Sequence, residues 1–188
     1  MSLPFADHLA EHRALFAQLD ALAADVQRAA DCIAGALRAG GKVMFCGNGG
    51  SAADSQHLAS EFTGRFVDDR RPLAALALST DSSALTCIAN DYAFDQVFER
   101  QLRGLGRRGD VLVAISTSGR SPNVQRAVLA ARELGITVIG LLGRDGGSIK
   151  AESDVPIVVP SLTTARIQEA HIFIGHTLCA LVEASLDL

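Results

Sequence analysis

The chain has 188 residues, of which 48% are apolar and 20% charged, and its formal net charge is −4. That length suits one domain with a sizeable core and excludes two of ordinary size. No apolar run approaches the roughly 20 residues of a membrane helix, and Lys and Arg are too dispersed to make a basic field for nucleic acid.

The chain opens with Met1-Ser2-Leu3-Pro4-Phe5-Ala6-Asp7. This start lacks the basic region and apolar stretch of a secretory signal, so a cytoplasmic location is expected. From about residue 5 to 39, apolar side chains recur at helical spacing (Leu9, Leu15, Phe16, Leu19, Leu22, Val26, Ile33, Leu37) until Gly40-Gly41. The spacing predicts one long helix or two. Short apolar runs bounded by turn residues then alternate with helical patterns. Strands are predicted at 42–46, 73–78, 110–115, 137–142 and 155–159, and helices at 51–63, 82–89, 93–104, 121–134 and 164–185. Such alternation requires right-handed crossovers and gives a doubly wound, five-stranded parallel sheet covered on both faces. The segment 1–39 stands outside it as an N-terminal helical extension, able to cover a sheet face or pack on another subunit. Residues 1–188 are read as a single domain. The four cysteines (Cys32, Cys46, Cys87, Cys179) are scattered singly, which predicts reduced thiols within the core.

Ligands of open α/β sheets sit where strands lead into helix N-termini. Two loops fit. Gly47-Asn48-Gly49-Gly50-Ser51 follows the first strand; its glycines admit close backbone approach, and Ser51 is placed to cap the next helix. Ser116-Thr117-Ser118-Gly119-Arg120-Ser121 leads into Pro122 and brings four hydroxyls to one helix N-terminus, a ready site for a phosphate. Capping by Ser121 with Pro122 in the first turn accounts for part of this pattern, but not for the density of hydroxyls.

Two helices carry polar pairs. His57 and Glu61 are four residues apart and lie about 40° apart on one face. Gln168 and His176 are eight apart, about 80° in projection. A His and a Glu one turn apart suit a divalent metal, or the Glu can move protons beside a polarised carbonyl; a solvated histidine and a solvated acid are the plainer explanation. His176 lies among Ile172, Phe173, Ile174, Leu178 and Leu181, where a polar group needs a partner. His171 is given no role, and His8 and His12 are expected at the surface.

The sequences Cys46-Gly47-Asn48-Gly49-Gly50-Ser51-Ala52-Ala53-Asp54, Ser116-Thr117-Ser118-Gly119 and Ala165-Arg166-Ile167-Gln168-Glu169 occur together in this order. With Gln56-His57, Glu61, Thr63-Gly64-Arg65-Phe66, Asn90-Asp91-Tyr92 and Asp145-Gly146-Gly147 they make the chain resemble the phosphoheptose isomerase family over nearly its whole length. The serine loop alone resembles the wider sugar isomerase (SIS) domain superfamily, which implies a flavodoxin-like three-layer sandwich. The family resemblance implies conversion of sedoheptulose 7-phosphate to D-glycero-D-manno-heptose 7-phosphate through an enediol, in a homotetramer with active sites between subunits. It implies one zinc per subunit on His57, Glu61, Gln168 and His176. Implied substrate contacts are Asn48, Gly49, Gly50, Glu61, Asn90, Asp91, Ser116, Thr117, Ser118, Ser121 and Gln168, with Glu61 and His176 as the catalytic pair. A non-catalytic regulator that binds the initiator DnaA is also similar, but lacks the Glu and second His that this chain keeps; an isomerase of another phosphosugar is the other alternative. Ala165 stands where some family members carry Asp.

Overall fold

The structure, a computed structural model, describes residues 4–188. Met1, Ser2 and Leu3 of the opening sequence lie outside the described residues. The strands are β1 (Val43–Cys46), β2 (Ala75–Ala77), β3 (Val111–Ser116), β4 (Thr137–Gly143) and β5 (Val155–Val159). All pair in parallel in the order β2-β1-β3-β4-β5. Both faces are covered, and the pleat divides the side chains cleanly between them. Val43, Phe45, Val111, Val113, Ile139 and Leu141 enter one core; Met44, Cys46, Leu112, Ala114, Val138 and Leu142 enter the other. Continuous apolar strands are what a doubly covered parallel sheet demands.

The helices are α1 (Pro4–Phe16), α2 (Ala23–Arg38), α3 (Gly50–Thr63), α4 (Ser82–Asp91), α5 (Val97–Leu105), α6 (Pro122–Leu134), α7 (Gly147–Glu152) and α8 (Thr164–Ser185). The N-terminal segment is two helices joined by a 3-10 turn at Leu19–Leu22. Helix α2 covers the sheet: Ala29, Ala30, Ile33 and Ala34 are buried in the core shared with α3 and α8. The short α7 has no counterpart among the predicted elements. The predicted strand 73–78 contracts to three residues because Leu73 N donates to Phe62 O at the end of α3, not to β1.

Two expectations about buried groups change. The thiols are free, but Cys87 is exposed while Cys46 and Cys179 are buried; burial pushes both buried thiols up to about 12. The fully buried histidine is His171, with its Nε2 3.0 Å from Leu142 O and its Nδ1 without a partner among the described residues. Burial holds its imidazole down to about 4. The neutral ring is therefore favoured in the fold, so its contribution is complete above the unfolded value near 6.5 and is lost as pH falls from there toward 4. Denaturation curves are expected to lose up to about 3 kcal/mol over that range, and His171→Gln should flatten the loss. An unchanged pH dependence in that variant would remove His171 as its cause.

Candidate active site

The strand order reverses between β1 and β3, and the loops after these two strands are the pair singled out from the sequence. In a sheet ordered 2-1-3-4-5 this is the point where ligands bind. One contact ties the loops together. Asn48 Nδ2 donates to Asn123 Oδ1 and Asn123 Nδ2 donates back to Asn48 Oδ1, each at 2.8 Å. Asn123 is buried in the first turn of α6 and also accepts from Val124 N. Nothing local in the sequence marks it, since its partner is 75 residues away.

In the serine loop, Ser116 Oγ and Ser121 Oγ lie 3.0 Å apart, and Ser116 Oγ also accepts from Gly119 N. Pro122 does open α6, and Ser121 occupies the N-cap position without a side-chain cap bond. Its hydroxyl turns into the loop; Pro122 has no N–H and Val124 N donates to Asn123 Oδ1, so Asn123 N is the first-turn amide of α6 that, among the described residues, keeps its capacity for an anion. The glycine loop departs from expectation at Ser51, which lies inside α3 and is buried. Gly49 holds the N-cap position at φ +57, a conformation suited to glycine.

Helices α3 and α8 run side by side in the same direction. Gln168 packs on Gly50, Leu58 on Gly175, and His57 on His176. His57 Nε2 lies 2.9 Å from His176 Nε2 and 3.3 Å from Glu61 Oε1. One donor atom from each of the three falls within 4.8 Å of the others. Ligand atoms of a tetrahedral zinc stand roughly 3.3 Å apart, so these three side chains could hold a metal ion. His176 is half-buried, not deep in the core, and its partners are His57 and the ring of Phe66. Asp54, one turn before His57, keeps Oδ2 buried without a hydrogen bond among the described residues. Burial raises its carboxyl, while His57 and His176 draw it back down.

Gln168 sits at the N-terminal end of α8, beside the glycine loop. Its amide packs against the Gly50 backbone, eight residues and roughly 12 Å along the helix axis from His176. Asn90 and Asp91 are exposed at the end of α4, and their hydrogen bonds run to each other and to Cys87. Ala165 is exposed in the first turn of α8 and presents no acid. Of the N-terminal histidines, His8 is at the surface, but His12 is half-buried with Nδ1 2.8 Å from Glu169.

Arg70, which the sequence did not single out, fixes the helix pair. Its Nε donates to Glu183 of α8 at 2.6 Å, and its Nη atoms donate to the carbonyls of Glu61, Phe62, Gly64 and Arg71. Side-chain exposures of 3% for Arg70 and 10% for Glu183 make this a buried pair that also satisfies the open carbonyls ending α3. Glu61 is thereby held at a fixed register against α8.

The SIS domain family model matches residues 7–143. The phosphoheptose isomerase of Rhodospirillum rubrum is 54% identical over 171 residues, covering 91% of each chain. That of Trichlorobacter lovleyi is 50% identical over 182 residues, covering 96% of this chain and 93% of the relative. Among solved structures, phosphoheptose isomerase GmhA from Neisseria gonorrhoeae superposes with a TM-score of 0.91 at 49% identity, covering 96% of this chain and 97% of the other. The enzyme from Francisella tularensis gives 0.93 at 35% identity, covering 96% of each. With two glycine and serine loops joined at the sheet's switch point and a His-Glu-His group on the flanking helices, the chain belongs to the phosphoheptose isomerases of the SIS domain family.

Proposed function

We propose that this chain interconverts sedoheptulose 7-phosphate and D-glycero-D-manno-heptose 7-phosphate. The observation that carries the reading is the gathering of His57 and Glu61, on the helix that starts at the glycine loop, with His176 of the adjacent α8. His57 is seven residues from Gly50, roughly 10 Å along α3, a span that an extended heptose phosphate bridges. The phosphate then lies at Ser116, Thr117, Ser118 and Ser121, with the sugar passing Asn48, Gly49, Gly50 and Gln168.

Moving the carbonyl from C2 to C1 removes one proton from C1 and delivers one to C2, while the proton on O1 leaves and O2 gains one. Glu61 and His176 share these transfers as an acid–base pair. Anchoring the phosphate at a distance places C1 and C2 against that pair, which is the orientation effect that makes a bound reaction fast. The helix N-terminus behind the serine loop stabilises the dianion without a lysine in the loop.

His57, Glu61 and His176 would hold a zinc ion, and the metal, when bound, supplies Lewis-acid polarisation of the substrate oxygens. Three protein ligands with one position left to an outside donor is the pattern of a catalytic site. Gln168 serves the substrate at the Gly50 end of the groove. Asn90 and Asp91 are exposed at the end of α4, which supports a homotetramer whose active sites lie between subunits and use these two residues across the interface. The exposed apolar side chains of Phe5, Leu162 and Phe173 support the same assembly. No helix among the described residues is long and apolar enough to cross a membrane, and a phosphorylated substrate supports a cytoplasmic location.

The wild-type protein incubated with sedoheptulose 7-phosphate is expected to form the aldose phosphate, followed by NMR. Protein purified without chelator or added metal should carry about one zinc per subunit, and His57→Ala should lose it. Absence of aldose product with and without zinc rejects the activity; a panel of other ketose phosphates tests the choice of substrate.

A further inference from the structure

The turn Asp145-Gly146-Gly147, which no step above uses, lies directly behind the serine loop. Arg120, inside that loop, meets Asp145 fork to fork: Nη1 is 2.9 Å from Oδ1 and Nη2 is 2.5 Å from Oδ2. Asp145 Oδ1 also accepts from Gly147 N, and Arg120 Nη1 donates to Ser118 O. Gly119 O accepts from Ile149 N at 3.1 Å. Gly119 (φ +63) and Gly147 (φ +55) stand backbone against backbone, and a Cβ on either would overlap the other segment. The loop is thus braced by two side chains and by a glycine-to-glycine contact.

A cation in a phosphate loop has two possible uses: it touches the phosphate, or it shapes the loop. Both Nη atoms of Arg120 are already engaged, one with Asp145 and Ser118 O, the other with Asp145. The hydroxyls of Ser116 and Ser121 converge elsewhere, on each other. We propose that Arg120 and Asp145 form a clamp that holds the serine loop in its anion-binding shape, so that Asp145 governs affinity for the sugar phosphate without touching it. They are positioning residues, and the proposal rests on the reading of this loop as the phosphate site.

The sign of one result separates the two uses. Removing the Asp145 charge releases Arg120, so a phosphate-touching arginine would bind better, whereas a clamp would bind worse. Steady-state kinetics with sedoheptulose 7-phosphate, and competitive inhibition by inorganic phosphate, are measured on wild type, Asp145→Asn, Arg120→Ala and the double variant. The clamp predicts a KM and a phosphate inhibition constant raised about two- to fivefold, the range of a solvent-exposed pair, with kcat unchanged. The double variant should be no worse than the worse single one, because both remove the same interaction. A fall in KM, no change, or fully additive losses would overturn the clamp. Asp145→Glu, which keeps the charge, should recover part of the affinity. If Asp145→Asn does not fold, Arg120→Lys keeps the charge but loses the fork and is expected to raise KM in the same way. Wild-type protein that is neither active nor inhibited by phosphate overturns the phosphate-site reading along with the clamp; normal wild-type behaviour with unmoved variants overturns the clamp alone.

Discussion

Glu61→Gln is expected to lower kcat by about 10²- to 10⁴-fold, the usual contribution of a positioned acid or base, and His176→Gln should do the same. Glutamine keeps the length and planarity of Glu61 but cannot take a proton from carbon. It also replaces an anionic oxygen at 3.3 Å from His57 Nε2 with a neutral group, so zinc affinity should fall in parallel. Binding of inorganic phosphate, measured by calorimetry, should stay at the wild-type value, because the serine loop lies at the other end of α3. That pattern separates lost chemistry from lost folding. Full turnover in either variant would withdraw that residue from the acid–base pair, even with the isomerase activity intact.

Gly119→Ala should damage the opposite end of the site. The residue sits at φ +63, where a Cβ costs about 1–2 kcal/mol, and the new carbon would overlap the Gly146 carbonyl, a backbone atom with no rotamer to retreat into. The loop must shift to accommodate it. Phosphate affinity is expected to fall more than tenfold, with stability reduced by more than about 2 kcal/mol. Gly104→Ala is the control. That glycine lies in α5 with nothing within 4 Å of a built Cβ, so alanine there should add about 0.5–1 kcal/mol through helix propensity and leave phosphate binding alone. Equal phosphate affinity in Gly119→Ala and wild type would show that the loop's shape does not matter to binding.

The sheet was legible because a buried parallel strand is a short apolar run between turn residues, and four of the five strands lie within one residue of their predicted bounds. The fifth, β2, was over-read: Leu73 is as apolar as a strand residue, yet its amide turns to α3. Helix α7, six residues after Gly146, is too short to show a period. The histidines illustrate a different limit. His171 and His176 both lie among apolar neighbours in α8, and nothing in that stretch says which one faces the sheet. Long-range partners were invisible for the same reason. Asn123 reads as an ordinary first-turn residue and Arg70 as one more charge in a polar connection; each acquires its role from a residue far along the chain.

The double amide contact between Asn48 and Asn123 has a bearing on how the enzyme should respond to acid. Neither side chain ionises, and the ion pair behind the serine loop keeps its charge down to about 2 at Asp145. The cradle for the substrate is therefore made of parts that do not titrate between mildly acidic and mildly alkaline solution. The proposed reacting end works by proton transfer through Glu61 and His176. A pH–rate profile of this protein would accordingly combine the reacting end with the second ionisation of the substrate's own phosphate, at about 6, while the protein groups that hold that phosphate keep their charge.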